Sequence, residues 1–515
     1  MAEKRLTWSH NTGVGARSRE GTQTPGLLGS IDSRTRWVML AMAALAVCTF
    51  TLLTRVPDEW VWESLRVLAV GFALVAAFYI PRDQPKPAFV IWWLLLISEC
   101  IFFREGDIYA GVAAFHGKFP TAVYGEVASW FFYLIVVLVC SVRVKGYFGQ
   151  LFAGDYKWST LFAMLCIASS FYAPRPGFGL VWAFKLSLTV LILVLCSMRI
   201  HDFRDTISFL RFSTFAFLII VLEPVMISIC RGELFDDEGR MSTVVSPNAL
   251  SPNAGALLLL ALTLFCRRKD EGMNKSAIVI GIVACFIMIL AGSKTGILAA
   301  IFAGALYFLV CRRFGSAGVY IATTAALLAV LGLTTPLGDY FRLYQERQGV
   351  ESFSGRTTLW NAVLPAIQQK PILGHGYLAS EFISIQVNAV EWQAPHLHNG
   401  FLEALYNSGV FGFVLIMAIL IVIPWNLYRV LRRTAPSDRI YQIGAGCLAL
   451  YAFLLINGFF NSSFGGKPTV PFMLMLALVV ASQKLLEQVV PRQGGAILKR
   501  GSVESGTIAL SNAHS

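Results

Sequence analysis

Apolar runs of about 16 to 22 residues recur along most of this chain, and nothing else in it restricts folding as strongly. A run of that length crosses a hydrocarbon layer of about 30 Å as a helix. No water reaches backbone N–H and C=O groups there, so they must be satisfied internally, and closed helices follow. Only 14% of the residues are charged and 56% are hydrophobic, whereas soluble domains are about one-quarter charged. The expected fold is all-α, a polytopic transmembrane bundle of about 14 helices.

Spans are predicted near 37–53, 64–80, 88–103, 127–142, 158–173, 180–198, 212–230, 249–266, 277–292, 295–311, 317–334, 409–428, 441–460 and 468–486. Their orientation follows from the basic residues, which accumulate on the cytoplasmic side. With both termini inside, Lys and Arg favour the inner segments by better than two to one. Arg267, Arg268, Lys269, Arg312, Arg313, Arg432 and Arg433 all fall inside. The net charge of +12 is then a consequence of topology, and no nucleic-acid partner is expected.

Residues 1–36 are polar and rich in Gly, Ser and Arg without a cleavable signal pattern; they read as a disordered cytoplasmic tail, as do residues 491–515. Between them lie eleven helices over 37–334, which include an outer loop at 231–247. A large outer loop at 335–408 and three more helices over 409–490 follow. The ten cysteines sit within or at the ends of predicted helices, which gives neither a disulfide framework nor a zinc spacing.

The 335–408 loop is the only large extramembrane unit outside the tails, and its length marks it as the first place to look for function. Leu359, Val363 and Ile367 recur every fourth residue and predict a helix, with Pro365 kinking it and Pro371 ending it. Gly374, His375 and Gly376 form a turn. A second helix is predicted from near His398, with Phe401, Leu402 and Leu405 on its apolar face and Asn399 and Glu403 on its polar face. Both suit short amphipathic helices lying at the membrane interface.

The residues most suggestive of chemistry are His398 and Asn399, followed by Gly409 and Gly412. Nearby are Arg356 with Trp360, and Pro371 with Gly374, His375 and Gly376. Upstream come Arg240, the run Ser246 to Leu250, and Gly292, Ser293, Lys294, Thr295 and Gly296 between two spans. Together these resemble the O-antigen ligase and polymerase superfamily, over roughly residues 210–425 and most strongly over 354–412. The family joins bacterial polysaccharides carried on polyprenyl diphosphate.

The resemblance implies outer-face arginines and one essential histidine, roles it assigns to Arg240, Arg356 and His398. It implies metal-independent, inverting transfer with no cofactor, on the periplasmic side of the bacterial inner membrane. Where the family usually has Ser-Arg, this chain has Ser293 and Lys294, and lysine keeps the charge without the bidentate fork. Members also commonly have fewer helices, and the surplus here is N-terminal.

The chemistry is coherent on its own terms. Cleaving a sugar from a lipid diphosphate leaves negative charge at headgroup level, which fixed cations stabilise best where water is excluded. Arg240, Lys294 and Arg356 all fall on the outer side and could converge on one diphosphate. A histidine such as His398 could position or accept the proton of an acceptor hydroxyl. Asn399, Glu403, Glu223 and Asn248 are candidate supporting residues.

Each assignment has an ordinary counterpart. Lys294 could snorkel to headgroups, and Arg240 could pair with the acidic run Asp236, Asp237 and Glu238. Arg356 could pair with Glu351, and His398 could merely start a helix. For His375 and His396 the structural role is favoured. The acidic run could alternatively hold a divalent ion. Glu99, Glu223 and Lys185 lie in apolar segments, where charge is costly unless paired or solvated.

The expected partners are a polyprenyl-diphosphate-linked glycan, an acceptor glycan or lipid A core, the bilayer, and a chain-length regulator. A repeat-unit polymerase is the leading expectation and an O-antigen ligase the alternative. A lipid-linked glycan flippase is the competing class, weakened because the chain shows no repeated halves and its distinctive residues gather on one face.

Overall fold

The computed structural model describes residues 86–101, most of 130–138, 146–231, 234, 235, 241, 247–265, 275–334, 356–387, 390–394, 396–461 and 464–490. The predicted spans 37–53 and 64–80 and both predicted tails lie outside these residues. Thirteen α-helices are described in chain order: α1 (Lys86–Ile101), α2 (Tyr147–Leu151), α3 (Tyr156–Ser170), α4 (Pro176–Arg199), α5 (Phe203–Arg231), α6 (Pro247–Phe265), α7 (Lys275–Leu290), α8 (Lys294–Val310), α9 (Phe314–Thr334), α10 (Arg356–Gln369), α11 (Gly400–Arg433), α12 (Arg439–Phe460) and α13 (Val470–Val489).

Among the described residues, five helices are long and apolar enough to cross a membrane: α4, Phe203–Met226 within α5, α11, α12 and α13. Parts of α1, α6 and α7, and all of α8, are apolar but shorter. Large apolar side chains also face outward, among them Ile282, Leu298, Phe302 and Ile421. Such a surface suits surrounding lipid and would be a liability in water.

The helices pack in neighbouring pairs, α3 with α4, α6 with α7, and α8 with α9, around α11, α12 and α13. Small residues permit the closest approaches. A Cβ on Gly446 of α12 would run into Thr263 of α6, and one on Gly255 into Phe453. Both are the small-residue contacts by which membrane helices gain dispersion energy.

Hydrogen bonds gather the loops that carry the candidate residues at one end of the bundle. The Tyr172 hydroxyl donates to the Leu373 carbonyl at 2.6 Å, and the Tyr377 hydroxyl to the Gly466 carbonyl at 3.0 Å. At the opposite end, the Tyr441 hydroxyl donates to the Val310 carbonyl at 2.9 Å.

The predicted loop helix near His398 and the span that follows it run on as α11, and the backbone breaks between them at Gly409 (φ 61, ψ −161), where the span was expected to begin. One feature departs from the sequence reading. The loop also contains a β-hairpin, β1 (Ile383–Val387) with β2 (Val390–Ala394), paired antiparallel from Ile383–Ala394 to Val387–Val390. Its first strand is rich in β-branched residues, Ile383, Ile385 and Val387, and its second carries Val390 and Trp392, residue types that favour extended backbone. The apolar spacing of α10 behaves as predicted: Leu359 and Val363 are buried with Leu397, and Ile367 packs against them.

Candidate functional site

The site is built where α10 meets the start of α11. Arg356 is the first residue of α10, and Trp360 lies one turn later on the same face. The Trp360 indole Nε1 donates to the Leu397 carbonyl at 2.9 Å, while the Leu397 N–H donates to Glu403 Oε1 at 3.0 Å. Both polar groups of the Leu397 backbone are thus held, and its side chain is fully buried against Leu359 and Val363. His398 follows in the left-handed region (φ 51), where non-glycine residues are uncommon. Asn399 then caps α11, its Oδ1 accepting from the N–H groups of Phe401 (3.0 Å) and Leu402 (3.1 Å). The imidazole is therefore fixed from both sides.

The glycine-rich segment 371–376 acts as a structural interlock. Because α11 breaks at Gly409, the Tyr406 and Asn407 carbonyls are free to accept from the N–H groups of His375 (2.8 Å) and Gly376 (2.9 Å). The Val410 N–H donates in turn to the Pro371 carbonyl at 2.8 Å. A side chain at Gly409 would meet the Ile372 carbonyl, so the motif's glycine spacing reflects close backbone passage. Asn407 completes the knot: its Oδ1 accepts from the Ser380 N–H at 2.8 Å and its Nδ2 donates to the Gly465 carbonyl at 3.0 Å. His375 stacks on Tyr406, with ring centroids 4.4 Å apart, and its Nε2 lies 2.8 Å from the Ala366 carbonyl.

The electrostatics centre on two imidazoles. The rings of His396 and His398 lie 4.0 Å apart. Burial, and after it the Arg356 charge, pushes His398 down to about 4. Burial, then His398, Lys467 and Arg356, push His396 down to about 3. Both are neutral at physiological pH and stand in a field of positive charge.

Lys467, in the turn between α12 and α13, did not stand out in the sequence. It pairs with Glu381 at 2.7 Å and lies over the rings of Phe178 (5.4 Å) and Trp182 (5.6 Å). The fully buried Lys185 also lies over the Trp182 ring, at 4.7 Å, and over that of Trp130, at 5.3 Å, contacts that favour a cation more than purely apolar surroundings would. Arg175 lies over Phe382 at 4.6 Å. Phe178, Trp182 and Lys185 share one face of α4, but nothing in their spacing announces that Lys467 and Glu381 arrive opposite them.

Lys294 is exposed at the first position of α8, and the cations acting on the two histidines are Arg356 and Lys467. Arg240 and the acidic run 236–238 lie outside the described residues, as does the side chain of Glu99. Phe235 and Met241 form a bridge, and the Met241 N–H donates to the Leu290 carbonyl at 2.8 Å, near the start of α8. One carboxylate oxygen of Glu223, beside Pro224 in α5, is buried without a hydrogen-bond partner among the described residues. Asn248 is exposed in the first turn of α6.

Residues 277–417 match the family model described as O-antigen ligase. The segment runs from α7 through the α10–α11 junction, well under half of the chain, and over that part the chain is similar to the superfamily its motifs resemble. No curated protein matches the sequence. The apolar helices suit a multi-pass membrane protein, and the matched segment likens it to a family of O-antigen and polysaccharide assembly whose members are glycosyltransferase-like.

Proposed function

We propose that the chain is an inverting, metal-independent polymerase of bacterial surface polysaccharide, taking its donor from a polyprenyl diphosphate on the periplasmic side of the inner membrane. The observation that carries this reading is the meeting of Arg356 and His398 at the α10–α11 junction, inside the family segment. The topology that goes with it has about 14 helices and both termini inside, so the loop carrying the junction faces out.

In this mechanism the donor diphosphate lies against Arg356 and Lys467, with Arg240 and Lys294 as further contacts. Cations in a water-poor site stabilise the charge that develops as the bond between the sugar anomeric carbon and the phosphate oxygen breaks. The acceptor hydroxyl donates a hydrogen bond to His398 and attacks the anomeric carbon from the opposite face. Its proton passes to the imidazole, and the lipid diphosphate leaves with the electron pair. Neutral His398 can accept that hydrogen bond, but burial, and after it the Arg356 charge, make it a weak base. A bound diphosphate offsets the Arg356 charge and raises the basicity of His398, so the base is strengthened once the donor is in place. Asn399 and Glu403 hold the imidazole's backbone; Glu223 and Asn248 are assigned supporting roles along the glycan path.

The deciding experiment supplies purified protein with carrier-linked repeat units, with and without lipid A core. Longer chains without core support the polymerase. Product that requires core identifies a ligase, and no product in either case overturns the transferase reading in favour of transport. Chelator is expected to leave the activity unchanged; loss restored by magnesium or manganese would overturn metal independence.

A further inference from the structure

The end of the bundle opposite the site carries a second arrangement of basic and aromatic side chains. The outward face of α11 is apolar along its length, with Val410, Phe411, Val414 and Ile421 each about half exposed or more. Near the C-terminus of the helix this stripe changes character. Trp425 (58% exposed) and Tyr428 (51% exposed) come next, their ring centroids 6.3 Å apart, followed by Arg429, Arg432 and Arg433. Trp425, Tyr428, Arg429 and Arg432 follow the three- and four-residue spacing that keeps them on one helix face. Together with Arg433 they surround a pocket of about 350 Å³.

The order along the helix matches the order of chemistry through one leaflet: acyl chains, then the amphipathic belt, then phosphates. We propose that this pocket binds the headgroup of an anionic glycerophospholipid, whose acyl chains lie along the apolar stripe of α11. Three guanidinium groups at the C-terminal end of a helix can present paired N–H donors to phosphate oxygens. Tryptophan and tyrosine seat the glycerol region at the water boundary. Arg312 and Arg313 also lie at this end, since Tyr441 at the start of α12 bonds to Val310, but they do not border the pocket. A general attraction of basic residues to the membrane would involve both pairs equally, whereas a pocket for a headgroup requires Arg432 and Arg433.

The test uses the full-length protein purified in detergent, with phosphatidylglycerol, phosphatidylcholine or inorganic phosphate added, and reads the thermal unfolding midpoint. Phosphatidylglycerol is expected to raise the midpoint in a saturable manner, and phosphatidylcholine and inorganic phosphate are not. The variant Arg432→Gln/Arg433→Gln is expected to need about tenfold more phosphatidylglycerol, the loss of about one charge-assisted hydrogen bond. Arg312→Gln/Arg313→Gln, with the same charge removed, is expected to respond as the wild type does. Equal stabilisation by phosphatidylcholine overturns the proposal, as does full stabilisation by phosphate alone or an equal loss in both double variants. The wild-type comparison decides between lipids even if a variant fails to fold. Polymer synthesis is not the readout, so this outcome is independent of the transferase reading.

Discussion

The Trp360 indole donates to the carbonyl of Leu397, 37 residues away, at 2.9 Å, and His398 is the next residue. One turn before Trp360 on the same helix face stands Arg356, so a single hydrogen bond sets the spacing between the arginine and the imidazole. Leu359, Val363 and Leu397 bury the apolar side of the same contact. The pairing of Arg356 with Trp360 in the motif thus has a mechanical reason: one residue carries charge and the other holds the loop that presents the histidine.

Replacing Arg356 or His398 with Ala is expected to abolish polymer while leaving the membrane level of the protein unchanged. The comparison is polysaccharide on a gel against protein by immunoblot. Wild-type polymer from either variant would remove that residue from the site. Arg356→Lys should recover little, because a point charge does not reproduce the guanidinium fork.

Trp360→Phe keeps an aromatic ring in this half-buried position and removes the donor to Leu397. A buried carbonyl left without its partner costs about 1–3 kcal/mol. We expect turnover to fall about tenfold or more from misplacement of His398, with protein level close to wild type, measured as initial rate on carrier-linked repeats. Unchanged turnover would mean that the loop holds its place without this bond.

The low pKa of His398 has a defined consequence for pH. The acid limb of the rate profile for the free enzyme should fall through about 4 rather than through the ordinary histidine value of 6.5. Burial is the larger cause and Arg356 the second; the His396 ring lies beside His398, and Lys467 acts on His396. Arg356→Gln should therefore move the limb of any residual activity upward. The same shift affects stability: the unfolded chain binds a proton at His398 more readily than the folded one. Stability is accordingly lost as pH falls from about 6.5 to about 4, and the His398 contribution is constant below that. Unfolding midpoints measured across this window in wild type and His398→Ala would show it.

Lys467 and Glu381 form a largely enclosed pair, with side chains 17% and 9% exposed. Removing one partner strands the other, so Lys467→Met and Glu381→Gln should each lower the unfolding midpoint. The double variant should recover much of that loss, because an ion pair replaced as a unit leaves no unpaired charge. Activity separates the roles: without Lys467 the double variant remains slow if this cation contacts the diphosphate. Full activity in the double variant would make the pair structural only.

Gly409→Ala tests the interlock. Gly409 has φ 61, and an added Cβ would meet the Ile372 carbonyl, so backbone must shift on both sides. We expect loss of folded protein, read as membrane level and detergent-extracted monomer; wild-type levels would show that segment 371–376 can relax.

The apolar runs by themselves determined a helical membrane protein, since backbone groups in lipid can be satisfied only within each segment and run length sets helix length. The described helices begin and end close to the predicted spans, apart from α5, which starts earlier, at Phe203; α11 breaks at Gly409, where the predicted loop helix was expected to give way to the next span. Periodicity also placed Leu359 and Val363 in a core. What adjacency in sequence does not encode is which loops meet. That Lys467 stands beside Glu381 and Trp182, that Trp360 bonds to Leu397, and that segment 371–376 threads the break in α11 depend on contacts between distant segments. These contacts form only once the helices have packed, because burying shared surface decides which loops come together at the end of the bundle.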